Sequence, residues 1–277
     1  MSQTINQYIT SLLGKYTPST TAFDAARTHR AGIERRLDAW LGLHEIFETG
    51  SLRHGTGVAG YSDADLFASL KGVRPAPTTA LNKVKEALQD KYPYTTIQIR
   101  RPAVVCLFAN GAETVEVVPA FPADNGYWIP DPRSATEWMR AHPKDHNNYV
   151  SSANSNFSGA AKKLARLAKT WKYKRSVPVS SCYLEMRAAK YINDQSSVDL
   201  ALDIYYFLNR LKVIELASMN DPTGLNSRFN AYSSETHKAD ALSKLATAVT
   251  RAEKAKESYL KGDSAAGIDQ LKLLFNQ

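Results

Sequence analysis

Cysteine is scarce in this chain: Cys106 and Cys182 are the only two in 277 residues, both set in apolar stretches of sequence. Two cysteines supply neither a disulfide framework nor the four thiolates of a structural zinc site, and the cytosol is the default compartment for such a sequence. Long apolar runs are missing as well. No stretch approaches the roughly 20 apolar residues that a membrane-spanning helix needs. The start, "MSQTINQYITSLLGKY", lacks the basic n-region, extended apolar core and small-residue cleavage site of a signal peptide. There is no low-complexity tract and no repeat at a solenoid period. His54, His142 and His146 fall at no metal-binding spacing with either cysteine.

What is present in excess is positive charge. Lysine and arginine number 35 against 27 acidic residues, for a formal net charge of +8. Such a balance fits polyanionic partners (nucleotides, nucleic acid or an anionic surface) and equally fits a solvated basic surface with no specific role. The length is enough to bury one large core or two modest ones.

Periodicity orders the chain. Residues 3–14 read as a short helix and 21–43 as a long amphipathic one, with Phe23, Ile33, Leu37 and Leu41 on its apolar side. "EIFETGS" reads as a strand entering a glycine-rich loop, and "SDADLFASL" alternates as a strand does. A helix over 78–91 follows, then three strands, "YTTIQIRR", "AVVCLFA" and "ETVEVVPAF", the last two joined at Asn110-Gly111, a hairpin signal. Beyond about residue 130 the pattern turns helical, through a segment rich in proline and asparagine. Helices are expected near 156–173, with Asn156 as cap, and at 179–193, 196–218, 234–260 and 263–275. The expected fold is α+β: a mixed sheet with flanking helices over residues 1–130, packed against a helical lobe over 131–277. The long helices near 21–43 and 156–173 are the expected bridges.

The chemistry gathers in "GSLRHGTGVAGYSDADL". Asp63 and Asp65 at strand spacing put two carboxylates on one face, roughly 7 Å apart along the chain. Carboxylates held together need a counter-charge, which Mg²⁺ supplies with oxygen ligands. A third carboxylate is offered by Glu116, flanked by Val115 and Val117, which must face the other way. Two ions about 3.5–4 Å apart in such a set activate an attacking hydroxyl and steady a leaving oxygen in phosphoryl transfer. Gly50 and Gly55 let backbone N–H groups approach phosphate oxygens, and Ser51 and Thr56 add hydroxyls. No Gly-Lys-Ser/Thr follows, so the loop is not a Walker A motif.

These residues resemble the GS…SDxDL signature of polymerase-beta-like nucleotidyltransferases, and in particular the cGAS/DncV-like group (CD-NTases) of bacterial anti-phage signalling. The resemblance continues through "VEVVPAFPADNGYWIPD", and through "LARLAKTWK" and "VPVSSCYLEMRAA", which are similar to segments of 2′-5′ oligoadenylate synthetases. It covers roughly residues 20–235. It implies a polymerase-beta-like fold and an enzyme that joins nucleoside triphosphates into a cyclic di- or oligonucleotide messenger with release of pyrophosphate. It further implies Mg²⁺, or Mn²⁺ in its place, held by Asp63, Asp65 and Glu116, with Glu116 also helping to activate the acceptor hydroxyl. Gly50, Ser51, Lys169 and Ser181 are then the nucleotide-binding residues. Glutamate at the third acidic position departs from the more frequent aspartate and lengthens that ligand arm. The implied partners are ATP, GTP or pyrimidine triphosphates, a downstream effector that binds the product, and an activating partner if activity is not constitutive. A linear oligonucleotide synthase, nucleotidyl transfer to a small molecule or protein, and a non-catalytic nucleotide or nucleic-acid sensor are the other readings. Nucleic-acid binding is compatible with the charge but has no motif behind it.

Among the remaining candidates, Lys162, Lys163, Arg166, Lys169, Lys172, Lys174 and Arg175 crowd one helix and its end. They form either a phosphate-steering wall or, for most of them, a solvated face. Tyr61, Tyr127 and Trp128 offer ring faces to a base or close an apolar edge.

Overall fold

In the computed structural model, which describes residues 3–225 and 228–277, the chain begins with α1 (Ile5–Tyr16) and α2 (Thr20–Leu41). A reciprocal capping box between Thr4 and Gln7 starts α1, and the Ser19 hydroxyl caps α2. β1 (Leu43–Thr49) runs into a five-residue helix, α3 (Gly50–His54), then β2 (Ala64–Leu70) and α4 (Pro77–Lys91). β3 (Thr96–Arg100), β4 (Ala103–Phe108) and β5 (Glu113–Pro122) follow, with a tight turn at Ala109–Gly111 between the last two. Next come β6 (Tyr127–Pro130), β7 (Trp138–Ala141), α5 (Pro143–Asn156), α6 (Ala160–Lys174), α7 (Ser181–Asn193) and α8 (Leu200–Val213). A two-stranded ribbon of β8 (Met219–Asn220) and β9 (Arg228–Phe229) precedes α9 (Glu235–Leu260) and α10 (Ser264–Phe275).

The contacts divide the chain into two compact units. One comprises residues 18–54 and 62–147; the other comprises 1–17, 55–61 and 148–277. This division differs from a single cut at residue 130. Residues 131–141 stay with the sheet because β7 pairs with β6, and β6 with β5. α1 goes with the helices because Ile5, Ile9, Leu12 and Tyr16 are buried in their core. The two long helices expected to act as bridges fall one in each unit, α2 with the sheet and α6 with the helices.

In the sheet unit the strand order is β1-β2-β5-β4-β3, with β6 and β7 extending from β5. β2 and β5 run parallel and the other pairs antiparallel. Alternation along β2 and β5 gives the sheet two faces. Ala64, Leu66, Ala68 and Leu70 of β2 and Val115 and Val117 of β5 join α2 and α4 in one core. Phe67, Val118 and Ala120 face the other way, onto Ile129, Tyr127 and Phe47. The residue pairs Asp65/Phe67 and Glu116/Val118 share parity, so the acidic side chains stand on this second face.

The helical unit has its own core, built from α1 and α5–α10. The expected cap Asn156 is instead the last residue of α5. α6 starts four residues later, at Ala160, after Gly159 in a left-handed conformation that a side chain would strain. α5 itself, and the β6–β7 hairpin, occupy the segment that read only as proline- and asparagine-rich. Cys106 is buried, which pushes its thiol up to about 12, whereas Cys182 is exposed despite its apolar sequence neighbours. No helix among the described residues is long and apolar enough to cross a membrane.

Candidate active site

Asp65 sits in β2 with Thr49 opposite on β1 and Glu116 opposite on β5. In a parallel pair, register partners present their side chains to the same face, so the spacing argument for Glu116 holds in the structure. Asp63 lies one residue before β2. Its carboxyl is pushed up to about 6, first by burial and then by the neighbouring charge of Glu116. Two carboxyl groups so close need a cation, and the structure supplies one that the sequence reading missed. The Arg100 guanidinium, at the end of β3, pairs with Glu116 and lies 3.5 Å from Asp63. Among the described residues no three acidic, imidazole or thiol side chains stand together as a ready-made metal cluster. The carboxylates share a face and adjoining strands, and the cation among them is a side chain.

Gly50 is required here twice over. Its φ is +64°, and a Cβ at this position would collide with the Asp65 carboxylate. The glycine therefore lets α3 start directly against the acidic strand. Ser51 follows on α3, partly exposed. Gly55 and Thr56, expected to join this loop in gripping phosphate, are placed otherwise. Both belong to the helical unit, and Thr56 is wholly buried. The Arg166 guanidinium donates to the Gly55 and Gly57 carbonyls at 2.6 and 2.8 Å, so Arg166 clamps this segment rather than forming part of a steering wall.

In the helical unit, Lys169 is fully buried and ion-paired with Glu185 of α7 at 2.5 Å. This corrects its assignment as a nucleotide-binding residue: a side chain sealed in the core against a carboxylate presents no ammonium to a phosphate. One turn on, Lys172 donates to the Ser181 hydroxyl at 2.7 Å. Its ammonium is lowered to about 8, mainly by burial, then by the charge of Lys169, with Glu185 opposing. The Tyr173 hydroxyl lies 3.1 Å from the same Ser181 oxygen, and the Tyr61 ring stacks on Tyr173 with centroids 4.8 Å apart. Tyr61 is 43% exposed. Ser181 is thus brought together with Lys172, Tyr173 and Tyr61, not with Lys169. Sequence offered one signal for this exchange: Ala161, Ala165 and Lys169 recur at helical spacing on the buried stripe of α6.

The other aromatic candidates are occupied. The Tyr127 hydroxyl pairs with Glu45, and Arg74 and Arg140 lie over the Trp128 ring at 4.5 and 4.9 Å. His54 and His142 are buried; His142 lies 3.9 Å from Asp145.

Residues 3–154, more than half of the chain, match the SMODS family, the Second Messenger Oligonucleotide or Dinucleotide Synthetase domain. No curated protein matches by sequence. Among solved structures, Escherichia coli MS115-1 CdnC with ATP superposes with a TM-score of 0.78 at 14% identity over 98% of both chains. Vibrio cholerae DncV, a cyclic AMP-GMP synthase in complex with the linear intermediate pppA(3′,5′)pG, gives 0.80 at 12% identity over 100% of this chain and 97% of that one. Bradyrhizobium diazoefficiens CdnG with GTP gives 0.73 at 13% identity over 100% and 99%. At such identities the superpositions speak for the fold, and the family match speaks for descent: the chain belongs to the SMODS family, the cGAS/DncV-like nucleotidyltransferases that synthesise oligonucleotide and dinucleotide second messengers.

Proposed function

We propose that this nucleotidyltransferase condenses nucleoside triphosphates on the Asp63, Asp65 and Glu116 face of its sheet and closes the product into a cyclic di- or oligonucleotide. The observation that carries this reading is the in-register pairing of Asp65 with Glu116 on parallel strands, with Asp63 and Glu116 both facing the Arg100 guanidinium.

The residues divide the work as follows. Glu116 accepts the proton of the acceptor hydroxyl, whose oxygen then attacks the α-phosphorus of the donor as the bond to the bridging oxygen breaks and pyrophosphate leaves. The hard oxygen donors of Asp63, Asp65 and Glu116 suit Mg²⁺, or Mn²⁺ in its place, which offsets the charge gathering on the phosphates and eases loss of the hydroxyl proton when bound. Gly50 and Ser51, at the start of α3, hold donor phosphates through backbone N–H and hydroxyl groups. Within the helical unit Lys172 and Ser181 form a donor pair suited to a phosphate, beside the exposed ring of Tyr61, suited to stacking on a base. ATP and GTP are the first substrates to test, given the ATP and GTP complexes of CdnC and CdnG. CdnC also forms a CdnC:HORMA-deltaN complex, and an activating protein is proposed here by analogy. The product acts on a downstream effector in anti-phage defence, in the cytosol.

The test is incubation with labelled ATP, GTP, CTP and UTP and Mg²⁺, followed by chromatography, mass spectrometry and phosphatase treatment. A phosphatase-resistant product identifies a cyclic messenger, and a sensitive one identifies a linear oligonucleotide. The double variant Asp63→Asn, Asp65→Asn is expected to keep the wild-type circular dichroism spectrum and lose product formation by on the order of a thousandfold or more. Turnover near the wild-type rate in that variant rules out the acidic face as the reaction centre.

A further inference from the structure

Arg100 has an arrangement that a surface ion pair does not explain. It ends β3 and stands on the carboxylate face, since Gln98 of the same parity aligns with Val105 and Val105 with Glu116. On this face β4 presents Ala103, Val105 and, farther along, Leu107, none of which offers a polar group to a long side chain. The guanidinium crosses them to pair with Glu116 and approach Asp63. Asp63, Asp65 and Glu116 together hold its charge in place. Among the described residues its hydrogen bond and ion pairs go to Glu116 and Asp63. The carboxylates are the more enclosed partners: Glu116 is 21% exposed and Arg100 57%. An arginine anchored at one end and largely in solvent can withdraw without disturbing the sheet, whereas the carboxylates are fixed by strand register.

We infer that Arg100 is the resident counter-cation of the acidic face, and that a divalent ion binds there only by displacing its guanidinium. This rests on the reading of Asp63, Asp65 and Glu116 as the metal-binding residues. The two cations compete for the same oxygens. A competing state that is favoured by some factor weakens the apparent affinity for the metal by about that factor. Partly exposed pairs to one or two carboxylates make this a modest barrier, roughly 3- to 10-fold. Such an arrangement offsets part of the charge of the acidic groups when metal is scarce, and moves occupancy of the site to a higher metal concentration than three bare carboxylates would need.

Mn²⁺ binding to the full chain, followed by electron paramagnetic resonance of the free ion and by calorimetry without nucleotide, tests the idea. Arg100→Gln is expected to bind Mn²⁺ roughly 3- to 10-fold more tightly than wild type, and Arg100→Lys to lie between them. In EDTA the melting temperature of Arg100→Gln should fall, and adding Glu116→Gln should restore most of the loss, since the uncompensated carboxylate is then gone. Affinity in Arg100→Gln equal to or weaker than wild type, or binding undetectable in both, overturns the inference. The Asp63→Asn, Asp65→Asn variant separates the two claims. If it loses Mn²⁺ binding while Arg100→Gln gains none, Arg100 is not the competitor but the metal site stands. If it binds Mn²⁺ as wild type does, the metal site itself is misplaced.

Discussion

Two titrating groups, one in each unit, set the pH range over which the enzyme should work. Asp63 is raised from 3.8 to about 6, chiefly by burial and then by Glu116, with Arg100 pulling the other way. A carboxyl whose pKa is higher in the folded than in the unfolded chain holds its proton more tightly when folded. Its contribution to stability is therefore full below 3.8 and declines as pH rises towards about 6. The side chain is 37% exposed, so solvent screening limits the effect to a few degrees at most. Melting curves in EDTA should show Asp63→Asn gaining on wild type between these pH values and levelling off above them; a constant difference across the range would contradict the assignment. The same carboxyl must be ionised to bind a cation, so activity should fall as pH drops through about 6. At the other limit stands Lys172, lowered to about 8 by burial and by Lys169. Its ammonium loses its proton as pH rises past that value, and kcat/KM for the triphosphate should fall there. Lys172→Met removes a charge-assisted hydrogen bond to phosphate, on the order of 1.5–3 kcal/mol, which is roughly a 10- to 150-fold rise in KM. An unchanged KM and an intact alkaline limb in this variant would remove Lys172 from the phosphate site.

Elements, rather than single residues, decide what Lys169 does. α6 and α7 bury Leu164, Ala168, Trp171, Tyr183, Leu184 and Met186 around the Lys169–Glu185 pair, and neither charged side chain reaches solvent. Removing one partner of a buried pair takes from the other its nearest counter-charge, at a cost of about 3–5 kcal/mol. Lys169→Met should therefore lower the melting temperature sharply, and Lys169→Met with Glu185→Leu should recover most of the loss, because packed apolar groups replace a buried pair at little net cost. If Lys169→Met melts as wild type does and only KM for nucleotide rises, the lysine is a ligand residue after all. The difference between Lys169 and the carboxylates shows what the sequence could reveal. Asp65 and Glu116 were legible because a strand has period two, and flanking valines leave one orientation open. The helical stripe through Ala161 and Ala165 pointed Lys169 inward, but a lysine enters a core only when a partner awaits it, and Glu185 comes from another helix. Arg100 was hidden for a similar reason. Its role depends on strand order, which places β3 two strands from β5 with only small or apolar residues between them. α5 and the β6–β7 hairpin were obscured by the turn chemistry of "PDPRSATEW", which breaks periodicity on either side.

Across the whole molecule the chain passes between the two units at residues 17/18, 54/55, 61/62 and 147/148, so neither unit is a continuous piece of sequence. The helical unit depends on the early crossings. α1 buries Ile5, Ile9, Leu12 and Tyr16 in its core, and the short return at 55–61 adds Val58 and a backbone hydrogen bond from Ala59 to the Tyr16 carbonyl at 2.9 Å. Five large apolar side chains at about 1.5–3 kcal/mol each amount to roughly 7–15 kcal/mol. That is comparable to the whole stability of an ordinary domain, about 5–15 kcal/mol. A protein beginning at residue 131 also carries β7 without its sheet. It should accordingly show reduced helical circular dichroism and no cooperative melt. Supplying α1 and the 55–61 segment within the intact chain, but with Ile5, Ile9 and Leu12 changed to alanine, should lower the melting temperature of the helical core, as judged by hydrogen exchange in α6, α8 and α10. A fragment of residues 131–277 that melts cooperatively at the wild-type temperature would mean that the helical unit is built from its own sequence alone, and that the interleaved path of the chain has no part in holding it together.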